Sequence, residues 1–342
     1  MDTNRKFIII VCLILLFFGS DYTFAQNNSK WVRPADDGNS VPMWGHQDGI
    51  RVGIAPTPGP RGLLRIFTPY LGHKESKVFN FIAFEPILEG ETNRGYSELE
   101  MSKLDNVRGK RFWSSNDSTC TAPISNKNPA SGVIENIDGV EALTLYIFSE
   151  TFDNGAKPFV RLRFYEDRIY EIELTTYSCV DSAPLENFIL TATMGNFARL
   201  RNLYLAETVK SSLELWPDYK ANHFTLHDVT SIEHMIKDSN GGVYFIAEPD
   251  EEDPVNAKYD KATRNNWKYY GEKATQYWYS PKPSDNLKGL VNGRYTFWGG
   301  EAPIPGGISF ENFEFVTPFK SGEVFIFGIT QLDAETFIRQ IE

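Results

Sequence analysis

The chain has few cysteines and histidines and lacks the short motifs of several common enzyme classes. Three cysteines and five histidines occur in 342 residues. No G-x-S-x-G, Walker A, H-E-x-x-H or paired C-x-x-C motif is present. Each of these motifs supplies a nucleophile, a phosphate cradle or metal ligands at a fixed spacing. Their absence disfavours nucleotide hydrolysis and zinc peptidase chemistry, and we expect no cofactor and no metal.

Basic residues are also in short supply. The chain has 34 lysines and arginines against 45 aspartates and glutamates, for a formal net charge of -11. An acidic surface repels the phosphates of nucleic acids and anionic lipids, so we expect neither nucleic acid nor membrane as a partner. Binding of an acidic substrate remains possible, because a local cluster of arginines can outweigh the repulsion that the net negative charge exerts from a distance.

The amino-terminal residues show the pattern of a signal peptide. A basic start precedes an apolar run over residues 7–18, which is too short to span a bilayer, and small residues precede a cleavage point after Ala25. We predict that residues 1–25 are a leader and that the mature protein is periplasmic or secreted, with a retained anchor as the alternative. Export would allow Cys120 and Cys179 to form a disulfide, which the sequence leaves open.

Hydrophobicity alternates with the two-residue period of strands. In "FVRLRFY", Val160, Leu162 and Phe164 share one face, and Arg161 and Arg163 share the other. Similar short runs recur between clusters of Gly, Pro, Asn and Asp. The sequence therefore predicts an all-β protein, an antiparallel β-sandwich or jelly roll with few short helices.

Helical patterns are scarce. The best candidates are "SSLELWPDY" and the terminal "DAETFIRQIE", in which Asp333 is expected to be the N-cap. No repeat of fixed period, low-complexity segment or linker long enough to divide two domains is present. We therefore predict a single β-sandwich domain over residues 26–342.

Two polar runs contain side chains that would share a face of a strand. In "RGYSELE", Tyr96, Glu98 and Glu100 have one parity, and in "GNFARLR" Arg199 and Arg201 have one parity. Solvated strand surface is one interpretation. Binding is the other, because glycine beside such residues lets a ligand approach closely.

Two further runs carry polar or aromatic groups. The irregular stretch "WPDYKANHFTLHD" contains Trp216, His223 and His227 and is expected to close over a sheet face. The two histidines are four residues apart, so a metal pair is an alternative to two unrelated residues. In "GGISFENFEF", Glu311 and Glu314 have opposite parity, so we expect that a regular strand presents only one of them on a given face.

Several runs together carry a resemblance to a known family. The run "PIPGGISFENFEFVTPFKSGEVFIFGIT" resembles the closing segment of secreted β-sandwich proteins of the galactose-mutarotase-like type. With "RGYSELE", "DNGAKPFVRLRFY" and "TATMGNFARLR", it is similar to a bacterial family of exported carbohydrate-active proteins from ulvan-degrading systems, which includes an oligosaccharide dehydratase. The likeness covers most of residues 30–330. It implies elimination of water from the terminal uronic acid of an acidic oligosaccharide, which leaves an unsaturated uronate.

Such an elimination removes the proton at C5 of the sugar and expels the group at C4. The sugar carboxylate must be neutralised, which suits arginine. A base must reach C5 and an acid must reach the departing oxygen, and His and Tyr suit both roles. The candidate catalytic residues are His46, Tyr96, His227 and Tyr277. The candidate substrate-binding residues are Arg61, Arg94, Glu98, Arg199, Arg201 and Trp216. In this interpretation "MWGHQDG" places His46 at the rim of the site, and the following proline-bearing loop holds Arg61.

Three other functions remain open. A polysaccharide lyase would use the same elimination to cleave the chain. A glycoside hydrolase needs two carboxyl groups, such as Glu98 or Glu100 with Glu311. A binding module would hold an anionic glycan through its arginines and tryptophans without turnover. The predicted fold hosts several activities and does not choose among them.

Overall fold

The computed structural model describes residues 29–35, 41–57, 59–69, 77–123, 127–193, 195, 198–251, 274–298 and 302–342. The predicted signal peptide, residues 1–25, lies outside this range. Within it, no helix has the length and apolarity needed to cross a membrane.

The described strands, numbered in chain order, form two antiparallel sheets. Across the nine-stranded first sheet, the order is β1 (Trp31–Val32), β2 (Met43–His46), β3 (Arg51–Gly53), β4 (Leu64–Thr68), β5 (Lys77–Leu88), β11 (Leu185–Thr193), β19 (Ser309–Pro318), β18 (Lys288–Arg294) and β14 (Asp228–Ser231). Across the second sheet, the order is β13 (Val209–Ser211), β12 (Leu200–Tyr204), β16 (Val243–Pro249), β17 (Thr275–Ser280), β20 (Glu323–Thr330), β10 (Glu171–Ser178), β9 (Pro158–Tyr165), β8 (Val140–Ser149) and β6 (Phe112–Ser115). Two further strands pair with this second sheet: β15 (Ile236–Lys237) with β16, and β7 (Val133–Ile137) with β8.

The hydrophobic core lies between the two sheets. Phe245 of the second sheet stacks on Phe313 of the first, with ring centroids 4.9 Å apart. The indole Nε1 of Trp278 donates a hydrogen bond across the interface to the carbonyl oxygen of Phe313 at 2.9 Å. Each such buried aromatic ring contributes about 1.5 to 3 kcal/mol by leaving water. The predicted antiparallel β-sandwich is therefore confirmed.

Strand β9 shows why the alternation was informative. Val160, Leu162 and Phe164 lie in the core. Arg161 and Arg163 lie on the outer face of the second sheet, where both form ion pairs with Glu173 of the neighbouring strand β10. The predicted division of this strand into an apolar and a charged face is therefore correct.

Helix is scarce in the described residues, as predicted. The helical elements are α1 (Ser212–Leu215), a 3₁₀ turn (Ile232–His234) and α2 (Ala334–Ile341). In α2, Asp333 is the N-cap and its carboxylate accepts a hydrogen bond from the backbone N–H of Thr336 at 2.8 Å. Helix α1 is shorter than the run that predicted it, because Pro217 cannot continue a helix.

A disulfide joins Cys120 to Cys179, which settles the pairing that the sequence left open. It ties the segment after β6 to the end of β10. Trp113, Phe148 and Phe159 form a small aromatic cluster beside Cys179 on the outer face of the second sheet.

Candidate active site

A segment after β5 brings three polar side chains onto the outer face of the first sheet, the face turned away from the core. Residues 94–98 run alongside β5, because the backbone N–H groups of Gly95 and Ser97 donate to carbonyl oxygens of that strand at 2.9 and 3.2 Å. Alternate residues of an extended chain point the same way, so Arg94 and Tyr96 share the outer face. A turn follows, in which the backbone N–H groups of Leu99 and Glu100 donate to the carbonyl oxygen of Tyr96. Glu98 lies in this turn, close enough to Glu314 to interact with it electrostatically.

Arg94 forms the centre of a buried charge network on this face. Its Nη1 donates to Glu85 at 2.8 Å and to Glu314 at 2.9 Å, and Thr191 donates its hydroxyl to Glu85 at 3.1 Å. Burial raises the pKa of Glu85 to about 8, and the charge of Glu314 adds to this effect. Burial opposes the charge of Arg94, yet the two carboxylates raise its pKa above the ordinary value. Arg94 is thus held by protein carboxylates.

Tyr96 and Glu98 supply two proton-bearing groups beside this network. Burial, followed by the charge of Glu85, raises the pKa of the Tyr96 phenol. Burial also raises the pKa of Glu98 to about 7, with a further contribution from Glu314. The Oε2 atom of Glu98 is buried without a hydrogen-bond partner among the described residues. A neutral phenol and a carboxyl group that is partly protonated at neutral pH therefore lie on one surface.

His227 reaches the same network from the other edge of the sheet. Its Nε2 lies 3.5 Å from a carboxylate oxygen of Glu314 and 3.2 Å from the side-chain amide nitrogen of Asn292. The irregular segment that carries it is fixed along β18, because the backbone N–H of Thr225 donates to Gly293 at 3.0 Å. The prediction that this segment approaches a sheet face is confirmed for His227.

A β-bulge in β19 changes the expected side-chain pattern. Asn292 of β18 pairs with Asn312, but the next residue, Gly293, pairs with Phe310. Glu311 is therefore an extra residue that has no partner in the register. Such an insertion interrupts the strict alternation of faces along the strand.

The bulge corrects the expectation that Glu311 and Glu314 lie on opposite faces. Phe310 and Phe313 both belong to the core between the sheets, although they are three residues apart. Glu311, Asn312 and Glu314 consequently lie on the outer face. Parity predicted the wrong arrangement because it assumed a regular strand.

Glu311 and Arg294 are buried polar groups with unused hydrogen-bonding capacity. Glu311 is 1% exposed, and neither of its carboxylate oxygens has a hydrogen-bond partner among the described residues. Burial raises the pKa of Glu311 to about 8, and the nearby charge of Arg294 opposes the shift. Arg294 donates Nη2 to the carbonyl of Asn222 at 2.7 Å, whereas its buried Nε and Nη1 have no partner in the described residues. Buried groups of this kind are rare in folded proteins and need an explanation such as a ligand.

The raised carboxyl pKa values make a prediction about stability. Glu311 normally titrates near pH 4.5 and does so near pH 8 in the fold. Between these values the folded state binds more protons than the unfolded chain, so stability falls as pH rises, by roughly 1.4 kcal/mol per pH unit for such a group. We expect Glu311→Gln to flatten the decline in urea midpoint between about pH 5 and pH 8. The exposed Glu214→Gln variant is the control, and an unchanged slope in Glu311→Gln would contradict the assignment.

Aromatic rings border Arg294. Phe224 and Trp298 stack with centroids 6.0 Å apart and planes 17° apart, and the Arg294 guanidinium carbon lies 5.3 and 4.9 Å from their centroids. The guanidinium carbon of Arg108 lies 5.8 Å from the Trp298 centroid. We call Phe224, Trp298 and Arg108 the rim.

The polar side chains on the outer face of the first sheet are called the polar cluster. It comprises Glu85, Arg94, Tyr96, Glu98, Thr191, His227, Asn292, Arg294, Glu311, Asn312 and Glu314.

Four of the predicted site residues lie together in this cluster. They are Arg94, Tyr96, Glu98 and His227. Glu85 and Arg294 were not among the predicted site residues, although each is a charged residue inside a largely apolar run, in "FIAFEPIL" and "GLVNGRYTFW". Charged side chains are almost never fully buried without a partner, so such interruptions are the signal that could have located them.

His46 lies far from the polar cluster. It is in β2, three strands from β5, which carries Glu85, and five strands from β19 in the sheet order; these separations correspond to about 14 and 24 Å at the usual strand spacing. Its ring packs edge-on against Trp31 at 5.7 Å, and its Nδ1 accepts a hydrogen bond from the backbone N–H of Asp48 at 3.1 Å. Burial lowers its pKa. The structure thus gives His46 a packing role and does not bring it to the site.

Tyr277 also lies elsewhere, on the outer face of the second sheet beneath α2. Its hydroxyl donates to Glu171 at 2.7 Å, and its ring centroid lies 4.8 Å from that of Phe337 in the helix. Burial, with the adjacent Glu171 charge, raises its pKa well above the ordinary value. This tyrosine attaches the carboxy-terminal helix to the sheet.

Tyr277→Phe is therefore expected to lower stability. Removing the hydroxyl takes this donor away from the half-buried Glu171 carboxylate, which costs about 1 to 2 kcal/mol. Urea unfolding of the two proteins at neutral pH measures the difference. An unchanged free energy of unfolding would show that the hydrogen bond contributes nothing.

Arg199 and Arg201 form ion pairs with acidic residues. Arg199 donates to Asp250 at 2.7 Å and to Glu251 at 3.0 Å, and Arg201 also binds Asp250. Arg201 is 1% exposed and donates Nε to the carbonyl of Ile308 at 3.0 Å. Arg201 therefore fastens the loop before β19, and Arg199 binds the segment that follows β16. Neither guanidinium group is brought into the polar cluster.

Arg61 and Trp216 complete the predicted set. Arg61 forms an ion pair with Asp105 at 2.9 Å, beside the turn that carries Arg108. Trp216 packs edge-on against Phe310, with centroids 6.0 Å apart, on the core side of the sheet. Neither side chain is part of the polar cluster.

The histidines do not form a metal pair. His227 lies beside Glu314, whereas the ring of His223 packs edge-on against Tyr219 at 5.8 Å. Over the part of the chain that the structure describes, no group of three or more His, Cys, Asp or Glu side chains is arranged to hold a metal ion.

Comparison of the chain with protein-family models and with curated proteins finds no match. The functional interpretation therefore depends on the geometry of the polar cluster and on the resemblance carried by the sequence.

Proposed function

We propose that the polar cluster eliminates water from the terminal uronic acid of an acidic, ulvan-type oligosaccharide. The observation that carries the proposal is that Arg294 and Glu311 lie within electrostatic range of each other without a bond between them. Each is buried, and each has polar atoms without a partner among the described residues. A sugar carboxylate would satisfy both residues, since it accepts hydrogen bonds from a guanidinium and from a protonated carboxyl group.

Neutralising the carboxylate is what makes C5 acidic enough to lose a proton. When the C5–H bond breaks, negative charge spreads onto the carboxylate oxygens, and fixed donors beside these oxygens lower the barrier. The Nε and Nη1 atoms of Arg294 are in place before the substrate arrives, because Nη2 is held by Asn222. The pKa of about 8 for Glu311 keeps this residue mostly protonated at neutral pH, so that it donates rather than repels.

His227 is the proposed base. A neutral imidazole accepts the C5 proton, and the buried carboxylate of Glu314, 3.5 Å away, stabilises the imidazolium that forms. Before the substrate binds, the amide nitrogen of Asn292 donates to His227 Nε2 at 3.2 Å and fixes the ring. The C5 proton replaces this hydrogen bond on Nε2, the nitrogen that faces Glu314. The electron pair of the broken C5–H bond becomes the C4–C5 double bond.

Tyr96 is the proposed acid. Its raised pKa keeps the phenol protonated, so the hydroxyl can donate its proton to the oxygen that departs from C4. This oxygen leaves as water, and the product is the unsaturated uronate. Glu98, in the turn that follows Tyr96, is the proposed partner of the sugar hydroxyls. Arg94 positions Glu85 and Glu314 and does not contact the substrate.

Hydrolysis is the second candidate, and one observation favours it. Glu98 and Glu314 lie in one cluster, and the pKa of about 7 for Glu98 suits a general acid. A lyase would use the same residues as the dehydratase but would expel a sugar from C4 in place of water. A binding module would use Arg294 and the rim without turnover.

Product analysis separates these functions. The purified protein is incubated with saturated uronate-terminated oligosaccharides from ulvan, while ultraviolet absorbance and product mass are followed. The dehydratase gives rising absorbance from the conjugated double bond and loss of one water from the intact chain. Rising absorbance with chain scission identifies a lyase, and scission with water added identifies a hydrolase. Binding without any product would leave only the binding module.

A further inference from the structure

Phe224 and Trp298 form an apolar surface beside the polar cluster. Each side chain is 37% exposed, although large aromatic residues are mostly buried in soluble proteins. Neither ring belongs to a hydrophobic core cluster of the described residues. The two rings instead stack on each other with planes 17° apart. An exposed aromatic pair at the border of a polar site is suited to contact the apolar face of a ligand ring.

Arg294 links this surface to the place assigned to the reacting uronate. Its guanidinium carbon lies within 5.3 Å of both aromatic centroids, and its Nε and Nη1 atoms have no protein partner in the described range. A carboxylate bound to these atoms would therefore place the next sugar of the chain beside Phe224 and Trp298.

Arg108 gives this neighbouring position a charge. It is exposed, lies 5.8 Å from the Trp298 centroid and acts electrostatically on Glu98. Among the described residues its guanidinium forms no ion pair and no hydrogen bond. An arginine without a carboxylate partner is suited to bind an anionic oxygen group through its planar donors.

We propose that the rim binds the sugar next to the reacting uronate, and that this sugar carries a sulfate ester or a second carboxylate bound by Arg108. The proposal takes the identity of the reacting sugar from the proposed function. It adds that a single uronic acid occupies only part of the site, so the smallest good ligand is an acidic disaccharide.

Calorimetric binding in a Tyr96→Phe background tests the aromatic surface, because affinity is then measured without turnover. We expect Trp298→Ala to weaken binding of a uronate-terminated acidic disaccharide about tenfold and to leave free glucuronate unaffected. Leu226→Ala is the control, since Leu226 is 88% exposed on the segment that carries Phe224. Unchanged disaccharide affinity, an equal loss for both ligands, or no binding of any acidic disaccharide would overturn the proposal.

Three disaccharides test Arg108, with a sulfated, a carboxylated or a neutral second sugar. We expect Arg108→Gln to weaken binding of an acidic one about fivefold at low salt, less at high salt, and to spare the neutral one. Selective loss for the sulfated or the carboxylated ligand identifies the group. No loss, or an equal loss for the neutral ligand, would overturn the assignment. Failure of the proposed function gives a different result. The disaccharide still binds with this dependence on the rim, but the wild-type protein, with Tyr96 intact, forms no unsaturated product from it.

Discussion

Replacing Arg294 by alanine is expected to lower kcat/KM on uronate-terminated oligosaccharides by about 10²- to 10³-fold, the usual cost of removing a donor from a developing oxyanion. The substituted protein loses both the attraction for the carboxylate and the stabilisation of charge as C5 loses its proton. Arg294→Lys should recover only part of the rate, because an ammonium group does not reproduce the planar donors of arginine. Steady-state kinetics of the three proteins measures the effect.

Arg161→Ala is the matched control for this experiment. Arg161 is a partly buried arginine, somewhat more exposed than Arg294. It lies on the outer face of the second sheet, where it binds Glu173 and Thr175. Its removal should leave kcat/KM unchanged. Equal losses in both variants would mean that a change in folding, and not the loss of a carboxylate contact, causes the effect.

Tyr96→Phe and His227→Asn are each expected to lower kcat by about 10²- to 10⁴-fold, the range that general acid and base groups contribute. KM should change little in Tyr96→Phe, since the substitution removes one hydroxyl and keeps the ring. The losses in kcat should not be additive, so the double variant should be about as slow as the slower single variant, because both residues act in one elimination.

Matched substitutions elsewhere in the molecule serve as controls for these two variants. Tyr277→Phe, beneath α2, is the control for Tyr96→Phe. His46→Asn, in β2, is the control for His227→Asn. Both should retain full turnover, although Tyr277→Phe should be less stable. Full activity in Tyr96→Phe or His227→Asn, with loss in either control, would transfer the chemistry to residues outside the polar cluster.

The sandwich was predictable because side-chain period is a local property. In β9 alone, the alternation of three apolar residues with Arg161 and Arg163 determines which face is buried. The N-cap at Asp333 was predictable for the same reason, since the capping hydrogen bond spans only three residues. Such features need no knowledge of which strands become neighbours.

The site was predictable only in part, because it depends on which strands become neighbours and on the β-bulge in β19. Arg94, Tyr96 and Glu98 share a parity that the sequence shows. The bulge at Glu311 adds one residue to β19, and parity before it no longer predicts the face after it. The sheet order that places His46 five strands from β19 is equally absent from any local pattern.

The partners of charged residues were the second feature of the site that the sequence could not predict. Arg199 and Arg201 were predicted to bind substrate because two arginines share a strand face. In the structure both bind Asp250, some fifty residues later in the chain. Arg294 was not predicted to bind substrate, because no second arginine shares a strand face with it in the sequence. In the structure it has two buried donors without a partner among the described residues. Whether an arginine is available for a ligand depends on its partners in space.

The position of a bound substrate tests the proposed function of the polar cluster most directly. A crystal structure of Tyr96→Phe with an acidic oligosaccharide would show where the terminal uronate lies. We expect its carboxylate to lie about 2.7 to 3 Å from the Nε and Nη1 atoms of Arg294, with C5 facing His227 and the next sugar against Trp298. A sugar bound on another surface, or one whose carboxylate points away from Arg294, would contradict the proposed function.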